Sequence, residues 1–402
     1  MNNYRFSYNN RFSPNNKDKM YLYIFKGQVI LNALIIFTFS AMTKNLYLFI
    51  PIFLNLLALK VKSRPQKISE RLNFVFQLFL QVFIIAESYF YLITFSTKYY
   101  DWNLPSSLIL FLVSVLVMYI PYVIVFLTPF ENKFVQLLLS VFSFEFIAMG
   151  SLSIVTYSTI LDFNPLIARL SDTRFMGALV FLVMALVMMR KWGYPYPHMV
   201  PSRHINYIIL FFLLLLCFWF TMWNAFSGGK DFLSSLYTFD FSHAKFRIEY
   251  LLSGLEAGIA EEVLFRYMFL TILLAAFKNF RWKIFFASFI SSLCFGLLHL
   301  SNLSAGQDLP NTINQVVFAT GMGLLMCGLY LYSDMFFIPV IFHTLLDALA
   351  FTTSGEVMTG KVTNLQNIFT VVETLIFIAI ALGLLIAVYR RNHSDSNYFT
   401  IS

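Results

Sequence analysis

Long apolar runs, each near the length of a bilayer crossing, alternate along this chain with short polar breaks. A spanning helix needs about 20 apolar residues. The runs that approach this length are Gln28–Thr43, Leu46–Leu59, Asn73–Ser96, Ser106–Leu127, Phe134–Leu161, Phe175–Met189, Ile205–Ala225, Tyr250–Phe277, Ile284–Leu300, Ile313–Ser333, Met335–Phe351 and Ile368–Tyr389. They predict an all-α, polytopic transmembrane helical bundle of about 12 spans. The first two runs are short and nearly contiguous, which predicts a hairpin. The breaks Asp162–Arg174, Ser227–Arg247 and Ser301–Asn311 read as loops. No internal repeat is visible, which argues against the repeat-built halves of many transporters. Four regions follow: a polar, basic segment 1–27; N-terminal membrane helices 28–226; a chemistry-bearing core 245–352; and a last helix with a polar tail, 353–402.

Composition agrees with the pattern. Hydrophobic residues make up 59% of the 402 and charged residues 12%, about half the charged share of soluble domains. A net charge of +8 does not point to nucleic acid, because the basic residues lie in short loops. Lys60, Lys62, Arg64, Lys67 and Arg71 form one set, Arg190, Lys191 and Arg203 a second, Lys278, Arg281 and Lys283 a third, and Arg390 with Arg391 a fourth. With twelve alternating spans all four fall on one side, and the bias of cytoplasmic loops toward Lys and Arg then puts both termini in the cytoplasm. The expected setting is a multi-pass protein of a bacterial cytoplasmic membrane. No cleaved leader is visible in the polar first 27 residues. Cys217, Cys294 and Cys327 lie in apolar runs without ligand spacing and read as small buried hydrophobes.

Chemistry enters at Glu261-Glu262-Val263-Leu264-Phe265-Arg266, inside an apolar run. A carboxylate at membrane depth costs about 2.5–3.5 kcal/mol on insertion scales, so two together imply a protein-lined polar pocket. Glu262 and Arg266 are four residues apart and share a helix face, where each neutralises the other. Glu261 is rotated by about 100° from Glu262, which leaves it to face a cavity as a general base. Two further elements follow, Phe295-Gly296-Leu297-Leu298-His299 and His343-Thr344-Leu345-Leu346-Asp347. Pro339, four residues before His343, starts or kinks its helix. The remaining histidines, His198, His204, His243 and His393, lie in or beside loops. Membrane Glu87, Glu145, Glu256 and Glu373 read as interhelical hydrogen-bonding groups.

Glu-Glu-x-x-x-Arg, Phe-x-x-x-His and His-x-x-x-Asp, in this order on successive apolar segments between about Glu249 and Phe351, resemble the CPBP family of CAAX proteases and bacteriocin-processing enzymes, also called Abi. The resemblance implies an intramembrane glutamate-type endopeptidase acting on a membrane-associated peptide or protein. It implies that Glu261 and His299 activate a water, that His343 and Asp347 hold the oxyanion, and that Glu262 and Arg266 are structural. The cavity would be closed laterally by Phe295 and the helix Ile313–Ser333. Tyr267 stands where the family often has Gly. Asp347 stands where Asn is commoner, and an ionised carboxylate cannot donate to an oxyanion, so Asp347 is either protonated or serves to orient His343.

Glu261, His299 and His343 could supply the three protein ligands of a catalytic zinc. No His-Glu-x-x-His is present, however, and the family resembles a metal-independent protease, so no cofactor is expected. The expected partners are membrane lipid and a peptide or membrane-protein substrate. An alternative is a non-catalytic membrane binder, such as a bacteriocin-immunity protein or a regulator of a membrane partner.

Overall fold

A computed structural model describes residues 16–62, 65–99, 117–150, 172–202, 205–355 and 364–398, with positions 109 and 113. Every regular element named below is helical, and no strand occurs among the described residues. The described residues divide into two compact units, one up to Tyr196 and one from Pro197 onward.

The N-terminal unit begins with α1 (Asn16–Thr43), which starts ahead of the apolar run at Gln28. Lys44, with a positive φ of 56°, turns the chain back into α2 (Leu46–Lys60), so the first two runs form the expected hairpin. Buried amides tie it together. Asn55 Nδ2 donates to the Val29 carbonyl at 2.8 Å, and Gln81 Nε2 of α3 (Ile68–Tyr99) donates to Asn55 Oδ1 at 3.0 Å. In a membrane, such bonds replace the hydrophobic drive that lipid removes. α4 (Val117–Leu127) ends in a π-helical turn. α5 (Lys133–Ser143), capped by Asn132, also runs into π-helical geometry, over Phe144–Met149. α6 (Phe175–Lys191) completes the unit. Much of the expected spans Ser106–Leu127 and Phe134–Leu161, and most of the loop Asp162–Arg174, lies outside the described residues.

The C-terminal unit holds α7 (Tyr207–Phe226) and α8 (Ile248–Glu262). α8 continues without a break through a π-helical segment, Val263–Phe269, into α9 (Leu270–Ala276). α10 (Lys283–Leu298), α11 (Leu309–Ser333), α12 (Phe337–Ser354) and α13 (Asn364–Tyr398) follow. The loop Ser227–Arg247 contains one helical turn, Phe232–Ser235, under an Asp231 capping box.

Among the described residues, seven helices are long and apolar enough to cross a membrane. The count of about twelve is approximate for identifiable reasons. α2 and α4 are short apolar helices, α6 has 17 residues, and the run Tyr250–Phe277 changes between α- and π-helical geometry along its length. The three cysteines are free; Cys217 and Cys327 are buried as their apolar settings imply, whereas Cys294 is half-buried.

Glycines set the closest approaches in the C-terminal unit. A Cβ at Gly258 would meet Thr344 Oγ1, the Val340 carbonyl and the Thr344 amide, and one at Gly254 would meet the Thr344 carbonyl and Ala348. α8 and α12 therefore touch backbone to backbone along Gly254-x-x-x-Gly258, the small-residue spacing that lets membrane helices close up. One turn beyond Gly258 come Glu261 and Glu262, delivered directly against His343.

Candidate active site

α8 and the start of the π-helical segment carry the acidic motif. The wide π turn, of a kind often found at functional sites, begins at Val263 and buries all seven of its residues, Arg266 included. Glu262 and Arg266 are sealed from solvent, with Glu262 Oε2 2.9 Å from Arg266 Nε. The other faces of the guanidinium are occupied by soft partners. It lies 4.5 Å over the Phe295 ring, and its Nη2 is 3.2 Å from Met326 Sδ. An ion pair so dry is held by geometry, since removing either charge strands the other.

Glu262 does more than neutralise Arg266. Its Oε1 lies 2.9 Å from His343 Nδ1, across 81 residues of sequence. The ring's other nitrogen, Nε2, faces Asp347 Oδ2 at 3.4 Å and Glu261 Oε2 at 3.8 Å. His343 is thus the centre of the site, with carboxylates at both ring nitrogens. The buried Oε2 of Glu261 makes no hydrogen bond to the protein among the described residues. Exposure rises along the cluster, from 0% at Glu262 and Arg266 through 3% at His343 and 15% at Glu261 to 28% at Asp347. α12 starts at Phe337, two residues before Pro339, so the proline sits where its missing N–H is harmless.

His299 is the first residue of a 3₁₀ turn, His299–Leu303, that ends α10. It reaches the cluster through Phe295, whose fully buried ring meets His299 edge-on at 5.5 Å and His343 edge-on at 5.7 Å. His299 lies within electrostatic reach of Asp347 and His343. Glu261 shares its electrostatic surroundings with His343, Asp347, Glu262 and Arg266. The direct neighbour of Glu261 is His343, and His299, the companion expected for it, meets the Phe295 ring. Among the described residues no three His, Cys, Asp or Glu side chains converge in a metal-holding group.

All six motif residues are in or beside this one cluster. The spacing of the motif does not reveal the Glu262–His343 bond, because only packing brings α8 to α12. The glycines that permit that packing were visible as Gly254-x-x-x-Gly258. Nothing in the sequence signals Met326.

Residues 243–349 match the family described as Rce1-like, type II CAAX prenyl endopeptidase. This C-terminal stretch is similar to that family and is termed the Rce1-like domain. The Rce1-like domain begins in the loop before α8 and ends within α12, so it contains every residue of the cluster. Its bounds lie within a few residues of the span over which the motifs resemble the CPBP family, and the match is consistent with a protease of that family. No curated protein and no solved structure matches the chain.

Proposed function

We propose that the Rce1-like domain is an intramembrane endopeptidase that hydrolyses a peptide bond of a membrane-associated peptide or protein with a water activated by Glu261. The observation that carries this reading is the His343-centred cluster, one buried polar constellation assembled from four apolar helical segments. Glu261 is the base. Its Oε2 is buried without a protein hydrogen bond, while Glu262 next to it is held by both Arg266 and His343. A general base must be free to take a proton from water at hydrogen-bond reach. His299, whose ring meets Phe295 as that of His343 does, holds that water from a second direction.

With carboxylate oxygens at both ring nitrogens, the doubly protonated imidazole of His343 donates at both ends. Nδ1–H donates to Glu262, and Nε2–H points to where a scissile carbonyl gathers negative charge. Asp347 accepts from Nε2–H in the resting site and orients the ring, which reconciles a carboxylate at this position with an oxyanion role for the histidine. Glu262 and Arg266 are positioning residues. The chemistry rests on these side chains alone, without a metal or cofactor.

The test is comparative proteomics of membrane fractions from cells carrying wild-type protein or Glu261→Gln, followed by cleavage of the substrate so found by purified protein. The amide keeps the shape of Glu261 but is a far weaker base, so cleavage is expected to vanish while the protein still folds and inserts. Cleavage by the wild type is expected to survive chelation. Retained cleavage by purified Glu261→Gln refutes the assignment of the base.

A further inference from the structure

A second set of polar side chains is buried at membrane depth, in the N-terminal unit, and none of them is charged. α1 contributes Gln28 and Asn32, α2 Asn55, α3 Gln77 and Gln81, and α4 Tyr119, all more than nine-tenths buried. Asn32 falls midway along the span Lys19–Thr43, and Gln81 midway along Ile68–Leu92. Polar side chains at that depth meet one another or line a wet cavity. Hydrogen bonds fasten the four helices at one level. Asn55 Nδ2 donates to the Val29 carbonyl, and Gln81 Nε2 donates to Asn55 Oδ1 and, at 2.8 Å, to Gln77 Oε1. Gln28 Nε2 donates to the carbonyl of Met118, the neighbour of Tyr119 in α4. Val29 and Gln28 thus mark the directions of α2 and α4 as seen from α1. They are about 100° apart around the helix, and Asn32, one turn past Gln28, points between them, about 40° from Gln28 and about 60° from Val29.

What these bonds leave unmet is specific. Gln28 Oε1, Gln81 Oε1, Tyr119 Oη and both amide atoms of Asn32 are sealed from solvent and make no hydrogen bond to the protein among the described residues. Turning the Asn32 amide over changes nothing, because neither end has a partner. An unpaired amide in an apolar interior is costly, and lipid supplies neither donor nor acceptor. The unmet groups are amide oxygens together with an amide nitrogen and a hydroxyl, so their partner must both donate and accept. It must be uncharged, since no ionised side chain belongs to the set, and small, since the groups are sealed.

We infer that the N-terminal unit is a binding site for internal water at mid-membrane depth, held by Asn32, Gln28, Gln81 and Tyr119. A buried water makes two to four hydrogen bonds to polar groups that would otherwise go unsatisfied, and this set offers that number with the required mixture of donors and acceptors. The water bonds α1 to α3 and α4, where lipid leaves no hydrophobic drive to hold helices together. The directly bonded amides, Asn55 and Gln77, then form the dry side of the same network, against α2.

The experiment uses the full chain in lipid nanodiscs. Asn32→Leu keeps the branched shape of the side chain and removes both unmet atoms. In a dry core it would take away an unpartnered amide, and the melting temperature would rise. In a hydrated core it strips the water of two partners and leaves Gln28 and Gln81 facing an apolar group, so a fall of about 2–4 °C is expected. Radiolytic hydroxyl-radical footprinting of the wild type reads the water directly, because a sealed side chain is modified only where radicals form from water beside it. Tyr119 is expected to be modified several-fold faster than Phe181, which is equally sealed and in the same unit, and Asn32→Leu is expected to bring Tyr119 down toward Phe181. A melting temperature of Asn32→Leu that rises or stays unchanged overturns the inference. So does a wild-type Tyr119 as unreactive as Phe181, a result that does not depend on whether the variant folds.

Discussion

Replacing Arg266 by Met tests what the buried ion pair does. The guanidinium sits at 0% exposure against Glu262 Oε2 at 2.9 Å and over the Phe295 ring at 4.5 Å. Methionine fills much of the volume but leaves the Glu262 carboxylate buried, with His343 Nδ1 its remaining close partner. Breaking one partner out of a buried pair typically costs 3–5 kcal/mol, and a desolvated cation–π contact adds about 2 kcal/mol. The His343 bond offsets part of this, so a net loss of about 3–5 kcal/mol is expected. At roughly 2–4 °C per kcal/mol for a chain of this order of size, that is a fall of on the order of 10 °C in melting temperature. The assay is thermal unfolding of detergent-extracted protein across a double-mutant cycle of Arg266→Met, Glu262→Gln and both together. Glutamine removes the stranded charge, and its amide oxygen still accepts from His343 Nδ1. The double variant should therefore be more stable than Arg266→Met alone, with a coupling of at least about 1 kcal/mol. An Arg266→Met variant as stable as wild type, or strictly additive losses in the cycle, would refute the pairing.

Two further outcomes follow from the packing and from a pH-dependent contact in a loop. Gly258→Val should lower both the melting temperature and activity, because the new side chain meets backbone atoms of Val340 and Thr344 that cannot yield, and overpacking of this kind typically costs 1–3 kcal/mol. Gly27→Ala, where no atom lies within 4 Å of the added Cβ, is the control, and equal melting temperatures for the two variants would sink the close-packing account. His198, in the loop before α7, lies 3.5 Å from Asp334, and its hydrogen bond to that carboxylate holds the imidazole above its usual value. A raised folded-state value means that the stabilisation is fully present below the ordinary value of about 6.5 and is lost as pH rises through the raised one. For a half-exposed pair it amounts to at most about 1 kcal/mol. Melting temperature measured against pH should lose this small step in His198→Gln, and an unchanged profile would remove the pair from consideration.

The sequence alone determined the class of this protein and the order of its chemistry. The apolar runs read as membrane helices, because a continuous apolar stretch of that length satisfies its backbone within one segment only as a helix. The hairpin at Lys44, the helix start beside Pro339 and the Glu262–Arg266 pair could be read the same way, since each depends on residues within one or two turns of each other. The number of spans could not be read so directly, because apolar runs such as Leu46–Leu59 fold as helices shorter than a bilayer crossing. Only the tertiary structure decided which acid serves which partner. Helical rotation separates Glu261 from Glu262, but it cannot say that Glu262 reaches His343 as well as Arg266, or that Phe295 meets the rings of both His299 and His343. Those facts depend on how closely α8 approaches α12. That distance is set by the missing side chains of Gly254 and Gly258 against Thr344 and Ala348, residues some ninety positions further along the chain.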